Sequence, residues 1–206
     1  MHVLLINGSP HEKGCTYTAL SLVAGELNAA GITTEILNVG TKPVGGCIGC
    51  GGCAKGNGCV FGGVVNEAIE KARTADAFVF GTPVHYASAS GNMTSFLDRL
   101  AYAGGKYLAY KPAAICASAR RAGTTSALDQ LVKYPEFFHM PLVSGSYWPM
   151  VHGSSPEQVL QDEEGCAVMK ELGRNMAWLL QCIEAGKAAG FSHPENPRRP
   201  MTNFIR

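Results

Sequence analysis

Cys47, Cys50, Cys53 and Cys59 crowd into one short window, separated by two, two and five residues, while Cys15, Cys116, Cys166 and Cys182 are scattered. Thiolates this close can surround one face of a cuboidal metal–sulfide unit, and the intervening glycines let the backbone fold tightly around it. Zinc suits the same donors, and free or redox-active thiols are the remaining use of such a window. No basic segment followed by a long apolar stretch and cleavage site opens the chain, so a secretory signal is not expected. In that setting clustered cysteines point to metal or redox chemistry rather than to a disulfide framework.

A second stretch with chemical content is Met1 to Thr18. The apolar run Val3-Leu4-Leu5-Ile6 leads into Asn7-Gly8-Ser9-Pro10 and the polar turn His11-Glu12-Lys13-Gly14-Cys15-Thr16. Small and hydroxyl residues between a buried strand and a helix stand where backbone N–H groups converge on an anion. A nucleotide P-loop would need GxxxxGK[ST], and no such lysine is present. A dinucleotide fingerprint would need GxGxxG directly after the strand, which Asn7-Gly8-Ser9-Pro10-His11 does not supply. What remains is a monophosphate held by Ser9, Thr16 and turn N–H groups, consistent with a flavin mononucleotide.

The elements that must position these residues alternate. The periodicity predicts helices over Tyr17–Ala30, Val64–Ala75, Asn92–Ala103, Thr125–Val132 and Asp162–Ala185, the last irregular near Gly165 and Gly173. Strands are expected at the opening apolar run, Ile32–Val39, Ala77–Phe80, Ala113–Ala117 and Leu142–Ser146. Strands alternating with helices imply βαβ units and an α/β fold with a parallel sheet. Five strands fit a flavodoxin-like three-layer sandwich with order 2-1-3-4-5, which binds ligands beyond the carboxyl ends of its strands. Three strand-end loops then share one edge: Ser9–Thr16, Thr82–Gly91 and Ser118–Thr124. The organisation expected is one domain over residues 1–189, a cysteine-rich insertion at 40–63, and a tail at 190–206 forming a surface arm or lacking order.

Composition excludes several roles. The 206-residue chain is 46% hydrophobic and 16% charged, with formal net charge +1. That balance gives no general attraction to nucleic acid or anionic lipid. No apolar run approaches the roughly 20 residues that span a bilayer. A cytoplasmic protein without nucleic-acid or membrane partners is the expectation. Cys116 and Cys182 read as core residues.

Asn7-Gly8-Ser9-Pro10-His11-Glu12-Lys13-Gly14-Cys15-Thr16 resembles the GSPR-x-x-GNT phosphate loop of NAD(P)H-dependent FMN reductases and iron–sulfur flavoproteins. Gly81-Thr82-Pro83-Val84-His85-Tyr86, Ser90-Gly91-Asn92-Met93 and Phe96-Leu97-Asp98-Arg99 resemble their second loop. The resemblance covers about residues 1–185. It implies FMN with its phosphate at Ser9, Pro10, His11, Gly14, Cys15 and Thr16. The isoalloxazine would lie against Thr82, Pro83, Val84, His85 and Tyr86, with Ser118, Arg120, Gly123 and Thr124 on another side. No catalytic side chain is implied, because the chemistry is the flavin's own. Cys15 stands where the family has Asn and His11 where it has Arg, which removes a bidentate phosphate partner. Asp98-Arg99 is expected to be an orienting or interface pair or else solvated charge, and the aromatic loop Tyr147–Gly153 either a packed turn or a cap on the flavin.

The cysteine window matches the C-x2-C-x2-C-x5-C pattern of iron–sulfur flavoproteins one for one. It implies a [4Fe–4S] cluster on Cys47, Cys50, Cys53 and Cys59, with zinc and free thiols still open. The implied activity is hydride transfer from NADH or NADPH to FMN and onward to a quinone, flavin or iron–sulfur acceptor, in a homodimer or homotetramer. The alternative is an electron carrier exchanging single electrons with ferredoxin, although flavodoxins of that kind are usually acidic. A structural zinc-containing α/β domain is the third class.

Overall fold

The run from Val3 to Ile6 is fully buried because it lies in the middle of a sheet covered on both faces. The computed structural model describes residues 1–196 and 200–203. Its elements are β1 (His2–Asn7), α1 (Cys15–Ala29), β2 (Thr33–Asn38), α2 (Val64–Thr74), β3 (Ala77–His85), β4 (Ser88–Ala89), α3 (Gly91–Gly104), β5 (Ala113–Ala119), α4 (Thr124–Phe137), β6 (Met150–His152), α5 (Pro156–Val159) and α6 (Glu163–Ala188). The strand order is β2-β1-β3-β5-β6, all parallel, with β4 folding back antiparallel on the end of β3. Without β4, the parallel strands follow the expected order 2-1-3-4-5. The protein is a flavodoxin-like three-layer α/β sandwich.

The two-residue period of the strands separates the two cores. Leu4, Ile6, Phe78, Phe80 and Ile115 face α2, α3 and α4. Val3, Leu5, Val79, Ala114 and Cys116 face α1 and α6 on the other side. Register then aligns the strand ends: Asn7 lies opposite Gly81, and Pro83 opposite Ser118. The three expected loops therefore leave the sheet from one edge.

Three expectations need correction. The fifth parallel strand is Met150–His152, not Leu142–Ser146. Leu142 makes one bridge to β5, and Val143 donates to the Ala113 carbonyl at 2.8 Å. The chain then bows away through Gly145 and Ser146, which Glu171 holds by two hydrogen bonds of 2.8 and 2.6 Å. It rejoins β5 only at Pro149, whose carbonyl accepts from Ala117 N–H at 3.0 Å. Helix α6 is also continuous through Gly165 and Gly173. Gly173 is there for close approach: a Cβ would lie 2.7 Å from the Val23 carbonyl of α1. Cys182 is exposed on α6 rather than buried. The tail over 190–196 is an exposed arm without helix or strand, as expected, and its His193 stacks on Tyr110 with centroids 4.3 Å apart. The remainder of that expectation, at 197–199 and 204–206, lies outside the described residues. No helix among the described residues is long and apolar enough to cross a membrane.

The α1–α6 contact yields opposite outcomes for one chemical change. Gly25, exposed in mid-α1, has nothing within 4 Å of a Cβ. Gly25→Ala is expected to stabilise the fold by about 0.5–1 kcal/mol through helix propensity. Gly173→Ala is expected to destabilise it by about 1–3 kcal/mol through overpacking against Val23. Urea unfolding of the two variants beside the parent measures both.

Candidate functional site

At the sheet edge, Asn7 ends β1 fully buried. Its amide donates to the Glu12 carbonyl at 3.2 Å and to Asn38 Oδ1 at 2.8 Å, while its Oδ1 accepts from Ser9 N–H at 3.1 Å. One side chain thereby fixes both ends of the turn and the neighbouring strand. Ser9, 3% exposed, accepts from His11 N–H at 3.1 Å. Pro10 and His11 lie exposed at the rim.

The turn delivers the chain to α1, whose first turn has no side-chain cap and no acidic residue. Gly14 at the N-cap donates to the His11 carbonyl at 3.3 Å. A 15-residue helix so begun presents its free N–H groups and positive dipole end to whatever sits at the edge. Thr16, 1% exposed, shares a 2.8 Å hydrogen bond with Ser118 at the end of β5. The first and third loops are thus joined hydroxyl to hydroxyl. Cys15 takes no part in this through its side chain, since its thiol donates to the Gly153 carbonyl at 3.5 Å. Partial burial raises its pKa above the ordinary thiol value, with the Glu157 carboxylate adding to the effect.

The second loop is a tight hairpin. Val84 pairs with Ala89 and His85 with Ser88, leaving Tyr86 and Ala87 as the two turn residues at φ +50° and +60°. Two adjacent non-glycine residues with positive φ make a type I′-like turn whose strain the surroundings must hold. Gly123 does so from the third loop, at φ +97°, where a Cβ would lie 2.6 Å from Ala87 Cα. His85 and Tyr86 stand exposed beyond the sheet. Thr82 is buried, and its hydroxyl accepts from Ser90 N–H at 2.9 Å. Thr124 donates to Met150 Sδ at 3.1 Å, and Arg120 projects into solvent.

Ser90 binds the loops together. Its hydroxyl donates to the Gly8 carbonyl at 2.9 Å and accepts from Met93 N–H at 3.3 Å, capping α3. The expected site set lacks both Asn7 and Ser90, although Ser90 precedes a predicted helix as an N-cap residue should.

The cysteine window lies at the opposite end of α3. Cys47, Cys50, Cys53 and Cys59 all line one cavity of about 230 Å³, with Val60, Phe61, Arg99 and Tyr102. Gly49, Gly51, Gly56 and Gly58 hold positive φ, the conformation that lets the window wind round this space. Among the described residues, no three His, Cys, Asp or Glu side chains converge closely enough for a single metal ion. Asn66 of α2 clamps Cys59, accepting its N–H at 2.8 Å and donating to its carbonyl at 3.0 Å. Asn92 of α3 holds the entry to the window through the Gly40 and Lys42 carbonyls and Val44 N–H.

Asp98 and Arg99 are not a pair, contrary to expectation. Consecutive helical residues diverge in direction: Asp98 accepts from the Tyr134 hydroxyl at 2.6 Å, while Arg99 turns toward Cys59. Burial and Asp98 together push the Tyr134 pKa well up. Tyr147 and Trp148 meet edge to face at 4.7 Å, and both are about half exposed.

The thiols differ in reactivity. Cys116 is fully buried, and burial pushes its pKa up to about 12, whereas Cys47 and Cys50 are exposed. Metal-free native protein treated with iodoacetamide near pH 8 is expected to be alkylated at Cys47 and Cys50 and not at Cys116. Peptide mass spectrometry reads the pattern, and modification of Cys116 without unfolding would contradict the burial.

Three comparisons bear on this arrangement. The sequence profile of the NADPH-dependent FMN reductase family matches residues 1–155. An iron–sulfur flavoprotein of Archaeoglobus fulgidus is 30% identical over 91% of this chain and 96% of its own length. Another, from Methanocaldococcus jannaschii, is 26% identical over 89% of this chain and 100% of its own length. In fold, the chain is similar to a crystal structure of RosB with bound 8-demethyl-8-formylriboflavin-5′-phosphate. That likeness has a TM-score of 0.67 at 15% identity, over 100% of this chain and 95% of the other.

Proposed function

Because the chain belongs to the NADPH-dependent FMN reductase family, with an FMN-binding oxidoreductase fold, we propose that it uses NADH or NADPH to reduce FMN and passes the electrons to an acceptor. The observation that carries this reading is the uncapped, acid-free start of α1 beside Ser9, Thr16 and Ser118. A phosphate dianion there would receive the N–H groups of Cys15 and Thr16 together with the Ser9 hydroxyl and the one proton that the Thr16–Ser118 pair leaves free. Cys15 serves by its backbone alone, and His11 at the rim replaces the family's arginine with a weaker partner.

Bound FMN supplies hydride acceptance at N5 and onward electron transfer. The protein's residues orient and screen it. Pro83, Val84, His85 and Tyr86 line one side of the ring, on a backbone that the hairpin pairing holds in place while the His85 and Tyr86 side chains stay exposed. Ser118, Gly123 and Thr124 form a second side, with Arg120 available to a negatively charged ring or a nicotinamide nucleotide's phosphates. In this reading residues 1–189 are one flavin-binding domain, 40–63 its insertion and 190–206 its tail.

The cavity shared by Cys47, Cys50, Cys53 and Cys59 favours a metal centre in addition, and the iron–sulfur flavoproteins among the relatives make a [4Fe–4S] cluster the better choice over zinc. Such a cluster supplies one-electron exchange, with ferredoxin as a fitting partner. Thiolates so exposed call for a reducing compartment, the cytoplasm, and a homodimer or homotetramer is the assembly proposed. The carrier reading, without nicotinamide turnover, rests on this same cavity.

Two measurements test the proposal. FMN is expected to bind about 100-fold tighter than riboflavin, because two charge-assisted hydrogen bonds to the phosphate contribute about 3 kcal/mol; equal affinities would remove the phosphate site. In anaerobic stopped-flow mixing, NADH or NADPH is expected to bleach the flavin within the turnover time. Bleaching by reduced ferredoxin alone would leave a carrier.

A further inference from the structure

Arg99 is an unusual charge. It lies on α3, is 6% exposed, and has no carboxylate partner among the described residues. Its Nε donates to Cys59 Sγ at 3.2 Å, and its two terminal nitrogens donate to the Gly45 carbonyl at 3.3 Å and the Gly62 carbonyl at 3.1 Å. The guanidinium carbon stands 5.4 Å from the Phe61 ring centroid. The acids nearby are committed elsewhere: Asp98 to Tyr134, and Glu67, across the adjoining groove, to Lys71 at 3.6 Å. Backbone dipoles and an aromatic face solvate a buried guanidinium without neutralising it, and an uncompensated buried charge is costly. The same side chain lines the cavity that the four cysteines surround.

We propose that Arg99 is the built-in counter-ion of the metal centre held by Cys47, Cys50, Cys53 and Cys59, and sets how readily that centre accepts an electron. The inference rests on the [4Fe–4S] reading given above. Four thiolates on a [4Fe–4S]²⁺ core carry a net charge of −2. One electron taken up without a proton would make it −3. A fixed cation in a low-dielectric setting stabilises the −3 state more than the −2 state. The N–H···S bond to Cys59 draws charge from the same thiolate, and such bonds are among the factors that set cluster potentials. Arg99 also spans the window, since Gly45 precedes its first cysteine and Gly62 comes after its last. It therefore closes the loop that carries the ligands.

The test is an anaerobic spectroelectrochemical titration of reconstituted holoprotein, parent beside Arg99→Gln and Arg99→Lys, with iron and acid-labile sulfide counted in each. Arg99→Gln is expected to lower the cluster's midpoint. Its reduced-to-oxidised ratio at a fixed potential should fall about tenfold, equivalent to about 59 mV for a one-electron couple. Arg99→Lys, which keeps the charge and loses the planar fork, should fall in between. Full iron in Arg99→Gln with an unmoved midpoint overturns the inference and leaves the cluster reading intact. A parent that takes up flavin and no iron overturns both. Should neither variant fold, parent protein labelled with [¹⁵N]arginine decides. Electron spin-echo spectroscopy of the reduced cluster is expected to show a guanidinium ¹⁵N coupling, and its absence sinks the assignment.

Discussion

The site depends on the hydrogen bonds centred on Ser90. Its hydroxyl donates to Gly8 of the turn after β1 and accepts from Met93 in the first turn of α3, while its N–H reaches Thr82 on β3. Strands β1 and β3 are already neighbours in the sheet, but a sheet aligns only backbone. The loops beyond the strand ends are free to diverge unless a buried group ties them, and a buried hydroxyl left unpaired would be costly. Ser90 therefore fixes the first loop, the hairpin and the start of α3 as one unit. Thr16 and Ser118 tie in the third loop in the same way.

Helix α3 then relates the two candidate sites. Its N-terminal end holds the first two strand-end loops through Ser90. Two turns of one face, Asn92 and Arg99, hold the entry of the cysteine window and its last cysteine. The insertion has almost no regular structure of its own, and its fixed points come from α2 and α3. An irregular glycine-rich segment can thus keep a defined relation to the sheet edge.

Much of this was legible in the chain. Continuous apolar strands, helical stripes and hydroxyl-bearing strand ends led to the parallel sheet and to the three loops that leave it at one edge. Where the reading went astray, local sequence lacked the deciding information. Leu142–Ser146 has strand-like residues, yet Glu171 on a distant helix pulls Ser146 out of line. Gly165 and Gly173 look like helix breakers, yet α6 runs through both, and Gly173 becomes a contact point only because α1 packs there. Asp98-Arg99 looks like a pair in one dimension, but adjacent residues on a helix face different neighbours.

The sequence by itself determined the fold class, the alternation of strands with helices and the grouping of the four cysteines. These rest on periodicity and on spacing along the chain, which short-range sterics and burial translate directly. Only the tertiary structure decided that Cys15 turns away to Gly153, that Tyr86 and Ala87 occupy a strained turn braced by Gly123, and that Arg99 lies buried against Cys59. Each is a meeting of residues far apart in sequence. The packing of helices on the sheet sets which of them touch, and no local pattern encodes that.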